Sequence, residues 1–168
     1  MFLQEHRYNI HLQQGSVMEL NLSTCYSVFE KHYSRVADSL GVKASFRDDI
    51  ASYVTHRAMI LFKLDLLLIE HRNKIDPDRF FLFGKNALYH YLFSKKGISL
   101  SEAKKICLHD TLIVLAEDVS AFQVPKDVIS HLRKEFNFSV PDFKLVQDEK
   151  RKFQDSEWDF EPADRRLN

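Results

Sequence analysis

The first part of the chain alternates between apolar and polar residues with a period of two. Two such runs flank "QQGS", and the residues that share a face are Tyr8, Ile10 and Leu12 in the first run and Met18, Leu20 and Leu22 in the second. This alternation is typical of half-buried strands, so it predicts a short N-terminal β-hairpin. Because an isolated hairpin is marginally stable in water, we expect it to pack against a larger body.

From about residue 23 onwards, apolar residues recur at helical spacing. A first helix is predicted over residues 23–40, where Gly41 provides a C-terminal stop. A second helix is predicted from a cap at Ser45, with Asp48 and Asp49 at the positive end of the helix dipole. It continues without Gly or Pro to about Arg72 and is the longest predicted element.

A third helix is predicted to begin at "DPDRFF", with Asp76 as the N-cap and Pro77 at the first helical position. The apolar pattern continues to Gly97. Gly84 falls on the apolar stripe of this predicted helix. Since a glycine within a helix is destabilising, we interpret it as a site where a neighbouring helix approaches closely.

Two more helices are predicted after Gly97. The fourth begins with a capping box, in which Ser99 and Glu102 satisfy each other's backbone amides, and it runs to about Val119. The fifth is shorter and opens near Pro125. Its apolar face comprises Val128, Ile129, Leu132 and Phe136.

The pattern changes from about residue 142. The tail "PDFKLVQDEKRKFQDSEWDFEPADRRLN" is dense in both charges and has no sustained helical or strand period. We interpret residues 1–141 as one helical domain with the N-terminal hairpin, and residues 142–168 as a charged and aromatic tail, docked or disordered. The predicted fold class is therefore a mainly α, single-domain bundle of four to five helices with a short β-hairpin and an extended tail.

Composition narrows the class of protein. The chain has 168 residues, 45% of them hydrophobic, which is enough for one domain with its own core. Lysine and arginine together number 24, as do aspartate and glutamate, so the chain lacks the basic excess typical of nucleic-acid-binding proteins. Cys25 and Cys107 lie far apart and predict reduced thiols. No signal peptide or bilayer-spanning run is recognised, which predicts a cytoplasmic protein without membrane contact.

Asp65 is the most unusual residue of the second predicted helix. At about 100° per residue it falls on the apolar face. A buried carboxylate is costly unless it is paired, and Arg57 and Arg72 lie close to the same face. We therefore predict a buried structural ion pair between Asp65 and these arginines. A catalytic carboxylate is the weaker interpretation, because no nucleophile or second carboxylate is placed near it in the sequence.

Motifs for catalysis and cofactor binding are missing. The sequence contains no GxGxxG, GxxxxGK[ST], GxSxG or CxxC. Helical metal sites need ligands at i and i+3 or i+4, and Asp127 and His131 form one such pair without a second. We therefore predict that the protein is not an enzyme and has neither a metal nor a cofactor. Convergence of histidines from different segments stays open, as does a helical enzyme centred on Asp65.

Residues 89–106 have the outline of a helix-turn-helix. In this arrangement Lys95, Lys96, Lys104 and Lys105 would face phosphates. Against it, Phe93 is bulky where two helices would cross, and the second helix has no Arg, Asn or Gln in its first turns to read base edges. A nucleic-acid-binding regulator is therefore the alternative function.

The tail gives positive support for protein binding. Its candidate partner-binding residues are Phe153, Asp155, Glu157, Trp158, Asp159 and Phe160. Aromatic side chains supply contact area, and carboxylates steer a basic partner. The favoured function is a non-enzymatic protein-binding module of the immunity or antitoxin type, which neutralises a cognate toxin by direct binding. Whether Trp158, the single tryptophan, fills a groove on its own helices or on a partner stays open.

Overall fold

The computed structural model describes residues 18–43 and 48–167. Over these residues the chain forms nine α-helices and two short 3₁₀ helices. The α-helices are α1 (Leu22–Leu40), α2 (Asp49–Ile75), α3 (Asn86–Lys96), α4 (Leu100–Ala103), α5 (Leu108–Val114), α6 (Ala116–Ala121), α7 (Lys126–Leu132), α8 (Asp148–Arg151) and α9 (Glu161–Arg166). The 3₁₀ helices are η1 (Phe143–Leu145) and η2 (Asp155–Glu157).

The helices α1 and α2 form the centre of the fold. The side chain of Asn21 accepts the backbone N–H of Thr24 and so caps α1, and Gly41 ends that helix with a φ of 68°. Most residues of α2 are buried, so it is the element around which the other helices pack. The first predicted helix and its stop at Gly41 are confirmed. The second helix is also confirmed, but its predicted cap is wrong, because the N-cap is Asp48 and not Ser45, which lies outside the described residues.

Large aromatic rings connect the central pair to the rest of the core. Phe29 of α1 lies edge-on to Phe62 of α2, with ring centroids 5.8 Å apart. It also contacts Phe136, which follows α7, at 4.7 Å. Such T-shaped pairs add stabilisation to the burial of the rings themselves. The core therefore extends continuously from α1 and α2 to the residues after α7.

The predicted N-terminal β-hairpin is wrong. No strand occurs in the part of the chain that the structure describes, and Leu22, predicted on the second strand, is the first residue of α1. Met18 and Leu20 pack against the core from a segment without regular structure. The first predicted strand, residues 8–12, lies outside the described residues. The error arises because Asn21 is a strong helix cap and begins α1 inside the alternating run.

The prediction of a helix directly after Asp76 is also wrong, because residues 77–85 form a loop and α3 begins only at Asn86. Arg79 and Gly84 have φ angles of 58° and 54°, which a right-handed helix cannot contain. A Cβ added to Gly84 would meet nothing within 4 Å. The glycine therefore serves the backbone conformation, and the predicted close approach of a helix at this position is absent.

The fourth predicted helix is divided into α4, α5 and α6. Its capping box is confirmed, because Ser99 Oγ accepts the N–H of Glu102 and the Glu102 carboxylate accepts the N–H of Ser99. However, α4 ends at Ala103. A new helix starts at Leu108, where the carboxylate of Asp155 accepts the backbone N–H at 2.7 Å. A contact from a distant segment thus begins a helix where local periodicity predicts continuity.

The C-terminal segment, residues 142–167, packs along α1 and α2. It contains η1, α8, η2 and α9, and its side chains Trp158, Phe160 and Leu167 are at most 6% exposed. The sequence predicts a tail that is either docked on the helices or disordered. These residues are therefore docked. In the part of the chain that the structure describes, no helix has both the length and the apolar character needed to cross a membrane.

Candidate functional site

One side of α2 carries three buried polar side chains, Arg57, Asp65 and Arg72, spaced about two helical turns apart. Each of them binds a residue of the C-terminal segment. Buried charges are costly unless their hydrogen-bonding capacity is met, so these contacts determine where the segment docks. We call the three residues the polar anchors.

Arg57 is the most extensive polar anchor. Its Nε and Nη2 donate to the two carboxylate oxygens of Glu157 at 2.7 and 2.6 Å, and the two side chains are 3% and 0% exposed. Its other donors reach the backbone carbonyls of residues 150–152 at 2.9 to 3.2 Å. Burial disfavours the charged guanidinium, but the hydrogen bonds and charge of Glu157 outweigh it and raise the pKa of Arg57.

Asp65 is the middle anchor and is completely buried. Its Oδ1 accepts the indole N–H of Trp158 at 2.8 Å, and its Oδ2 lies within hydrogen-bonding distance of Nε2 of His32, 2.5 Å away on α1. Burial raises the pKa of Asp65, while the charge and hydrogen bond of His32 and the hydrogen bond of Trp158 oppose the rise. Because both carboxylate oxygens are occupied inside the core, this His–Asp pair cannot meet a substrate from solvent.

Arg72 is the third anchor and connects three parts of the chain. Its Nη1 donates to the carboxylate of Asp164 and, at 3.1 Å, to the backbone carbonyl of the same residue. The other carboxylate oxygen of Asp164 accepts the backbone N–H of Gly84 at 2.9 Å. This anchor therefore joins α2, the C-terminal segment and the loop before α3.

The predicted ion pair between Asp65 and the arginines Arg57 and Arg72 is wrong, although Asp65 does lie on the buried face. Residues seven or eight positions apart on one helix are separated by about 11–12 Å along its axis, which is too far for a direct ion pair. The true partners come from α1 and the C-terminal segment. The signal that could have located them was the pair of carboxylates, Glu157 and Asp164, placed among aromatic residues in the tail.

Some of the predicted partner-binding residues of the tail are buried in the core, and the others bind side chains or backbone groups of other helices. The buried ones are Glu157, Trp158 and Phe160. Phe153 is half-buried, and its ring centroid lies 4.1 Å from the guanidinium carbon of Arg57. Asp155 caps α5, and Asp159 pairs with Arg35 at 2.9 Å. Trp158 thus fills a groove on its own helices, and the tail aromatics are not presented to a partner in this conformation.

The four lysines of the helix-turn-helix prediction do not share a reading surface. Lys96 forms an ion pair with Asp118 at 2.6 Å, and Lys95 is exposed on the last turn of α3. Lys104 and Lys105 follow α4, which has only four residues. A recognition helix must be long enough to lie in the major groove, so the expected DNA-reading geometry is not formed.

Three phenylalanines are exposed on the phenylalanine loop, which we define as residues 76–85. Phe80, Phe81 and Phe83 are 73%, 75% and 56% exposed. The rings of the first two lie 6.4 Å apart and are tilted by 47°. The apolar pattern of the sequence predicts a helix over these residues and gives no sign of their exposure.

Hydrogen bonds fix the backbone of the phenylalanine loop. The Asp76 carboxylate accepts three consecutive backbone N–H groups at 2.7 to 3.1 Å, those of Phe80, Phe81 and Leu82. These backbone hydrogen bonds, strongest from Leu82, lower the pKa of Asp76. Asn86 Nδ2 donates to the carbonyl of Phe81 at 3.1 Å. With the N–H of Gly84 bound to Asp164, the loop is held at both ends.

Two hollows border the phenylalanine loop, and Lys85 lines both of them. The first, of about 210 Å³, also has Lys104, Lys105, Tyr89 and Cys107 in its wall. The second, of about 400 Å³, lies beside Phe83. Phe83 and the lysines therefore border one continuous surface through Lys85, and Phe80 and Phe81 precede Phe83 on the same loop.

His71 of α2 and His90 of α3 form a separate polar contact. Nε2 of His71 lies 2.9 Å from Nδ1 of His90. Burial, assisted by the charge of His90, lowers the pKa of His71 from 6.5 to about 4. Among the described residues, no group of three or more His, Cys, Asp or Glu side chains is placed to hold a metal ion.

We expect the free energy of unfolding to fall by about 1–3 kcal/mol as the pH drops from about 6.5 to about 4. The folded state resists protonation of His71 down to about pH 4, whereas the unfolded chain takes up this proton near pH 6.5. Protons therefore favour the unfolded state within this window. Urea unfolding across the window measures the effect, and His71→Leu should flatten the profile whereas His131→Leu should not. An unchanged slope in His71→Leu would assign the pH dependence to other groups.

Comparison with known proteins finds no matching family model, no matching curated protein and no matching solved structure. The chain's function is therefore inferred from its own geometry. The phenylalanine loop exposes three large apolar side chains to solvent and lies beside two hollows with charged walls.

Proposed function

We propose that this protein is a non-enzymatic protein-binding module and that the phenylalanine loop is its docking surface. The observation that carries the proposal is the exposure of more than half of each of Phe80, Phe81 and Phe83 on a backbone fixed by Asp76. Single exposed apolar residues are ordinary, but a contiguous aromatic patch marks an interaction site. A loop that is ordered before binding also loses little conformational entropy when the complex forms.

The buried polar groups support a binding role over a catalytic one. The carboxylate of Asp65 is occupied by His32 and Trp158, and that of Glu157 by Arg57. All five of these side chains are at most 6% exposed. Catalytic acids and bases must reach the substrate, so these groups are suited to holding the fold together.

The specific role that we propose is neutralisation of a cognate toxin, as performed by immunity proteins and antitoxins. One fixed aromatic surface suits a stable one-to-one complex, because rigid aromatic side chains supply most of the binding energy at protein interfaces. Co-production of the protein with its partner should relieve growth inhibition by that partner, and a variant of the phenylalanine loop should relieve it less. A partner that is harmless when produced alone would reject neutralisation while leaving the binding proposal intact.

Photo-crosslinking tests the binding surface directly. We expect benzoylphenylalanine at position 81, irradiated in the cells that make the protein, to yield one protein adduct of defined mass. The matched control carries the same amino acid at Ile113, which is 62% exposed on α5. Phe81→Ser should weaken the complex by about tenfold or more. It should leave the free energy of unfolding nearly unchanged, because the ring is already in water. Equal yields from both positions, or none from position 81, would refute the proposed surface.

A further inference from the structure

We infer that the partner of the phenylalanine loop is an acidic protein, with an apolar cleft for the phenylalanines and carboxylates beside it that contact Lys85, Lys104 and Lys105. The inference rests on the proposed function and adds the chemistry of the partner. It derives from the position and charge of the lysines.

The three lysines form one end of the docking surface. Lys85 belongs to the phenylalanine loop and lines the larger hollow beside Phe83, and it also lines the smaller hollow together with Lys104 and Lys105. All three lysines are exposed. A carboxylate that enters the smaller hollow would therefore lie beside Lys85, which is two residues along the chain from Phe83.

The positive charge of this hollow is not neutralised within the described residues. Among these residues, no carboxylate oxygen lies within 4.0 Å of the Nζ of Lys85, Lys104 or Lys105. The hollow contains one carboxylate, that of Asp155, and one of its oxygens accepts the N–H of Leu108. Three cations face one carboxylate in this smaller hollow.

The larger hollow has three carboxylates, those of Asp159, Glu161 and Asp164, but each of them already pairs with an arginine. The unpaired charge of the surface is therefore that of the lysines, which favours an anionic group from a partner.

An acidic protein fits these observations better than a polyanion. The whole chain has equal numbers of basic and acidic residues, 24 of each, so it lacks the long-range attraction that draws nucleic acids and anionic membranes to basic proteins. Phe80 and Phe81 are tilted by 47° and so do not form a parallel platform for stacking bases. Exposed rings beside a basic hollow match a protein surface that has both an apolar cleft and carboxylates, whereas a bilayer is flat.

A second copy of the chain is a poorer occupant. A symmetric contact brings the same patch of both copies together, so two surfaces with the same unpaired lysines would face each other. Like charges placed across an interface suppress that pairing. The loop itself offers one exposed carboxylate, that of Asp78, so the three lysines require further carboxylates from a different protein.

A carbodiimide cross-linker tests the inference, because it joins an amine directly to a carboxylate without a spacer. The full chain with benzoylphenylalanine at position 81 is first linked to its partner by light and then treated with the carbodiimide. We expect mass spectrometry to find amide bonds from Lys85, Lys104 or Lys105 to Asp or Glu of the same partner. The charge-reversed chain Lys104→Glu/Lys105→Glu should give about tenfold less photo-adduct. The control Lys126→Glu/Lys134→Glu, whose side chains line neither hollow, should keep the yield.

The outcomes separate the inference from the proposed function. One outcome is a photo-adduct to a protein that shows no lysine–carboxylate links and whose yield is unchanged by the charge reversal. This outcome overturns the inference that the partner is acidic but leaves the docking surface in place. An adduct of twice the chain's mass identifies a second copy and also overturns it. If position 81 yields no protein adduct at all, the proposed function itself is rejected.

Parallel titrations use random duplex and single-stranded DNA and phosphatidylserine vesicles. If the protein binds one of these polyanions, and if both Phe81→Ser and Lys104→Glu/Lys105→Glu abolish that binding, the ligand of the surface is that polyanion and not a protein.

Discussion

Arg57→Met is expected to lower the free energy of unfolding by about 3–5 kcal/mol, because it leaves the buried carboxylate of Glu157 without its arginine and with the neutral Ser39 hydroxyl and Gln154 N–H as its remaining donors. Glu157 is 0% exposed, and both of its oxygens accept hydrogen bonds from Arg57. The change also removes the donors bound to the carbonyls of residues 150–152. Equilibrium urea unfolding followed by Trp158 fluorescence measures the loss, since this single, buried indole reports the docking of the C-terminal segment.

The matched control is Arg35→Met. Arg35 also pairs with a carboxylate of the C-terminal segment, that of Asp159, but these side chains are 41% and 36% exposed. Exposed pairs contribute about 0–1 kcal/mol, so the control should change stability little. The double variant Arg57→Met/Glu157→Leu should recover part of the loss, because no unpaired charge remains buried. Similar losses in Arg57→Met and Arg35→Met would show that burial does not determine the contribution of these pairs.

Trp158→Ala is expected to lower the free energy of unfolding by about 4 kcal/mol. Two effects add up at this position. Truncation of a buried aromatic ring leaves a cavity, and Trp158 is only 6% exposed. The change also removes the indole donor that satisfies Oδ1 of Asp65 at 2.8 Å inside the core. Because the variant lacks tryptophan, unfolding is followed by far-ultraviolet circular dichroism.

Trp158→Phe separates the two effects. It keeps most of the ring and loses only the N–H donor, so its expected cost is about 1–3 kcal/mol. Asp65→Asn tests the other side of the contact. A carboxylate has two accepting oxygens but an amide has only one, so the asparagine cannot accept hydrogen bonds from Trp158 and His32 through separate oxygens. If Trp158→Phe were neutral and Trp158→Ala alone destabilising, the ring would matter only through its volume.

Local signals in the sequence were sufficient where the structure is determined by neighbouring residues. Gly41 ends α1 because its left-handed conformation depends only on the adjacent turn. Ser99 and Glu102 form their capping box three residues apart. The period of α2 likewise placed Asp65 on the buried face. In each case the interacting atoms lie within one or two turns of each other.

The phenylalanine loop could not be predicted, because Asp76 followed by Pro77 is an equally good start for a helix and for this loop. In both cases the carboxylate accepts nearby backbone N–H groups, and here it accepts those of residues 80–82. The choice is influenced by Asp164, which binds Gly84 from a position 80 residues further along the chain. The partners of the polar anchors were missed for the same reason. Contacts between distant segments leave no period in the sequence.

The polar anchors also have a consequence for biosynthesis. Glu157, Trp158 and Asp164 leave the ribosome long after α2 has been made. Until then the nascent helix carries Arg57, Asp65 and Arg72 without these partners, and burying such charges unpaired would cost more than packing around them gains. Folding is therefore expected to wait for the C-terminal segment instead of proceeding helix by helix as the chain emerges. Polypeptides that terminate before Glu157 would keep this face hydrated and remain open to proteases.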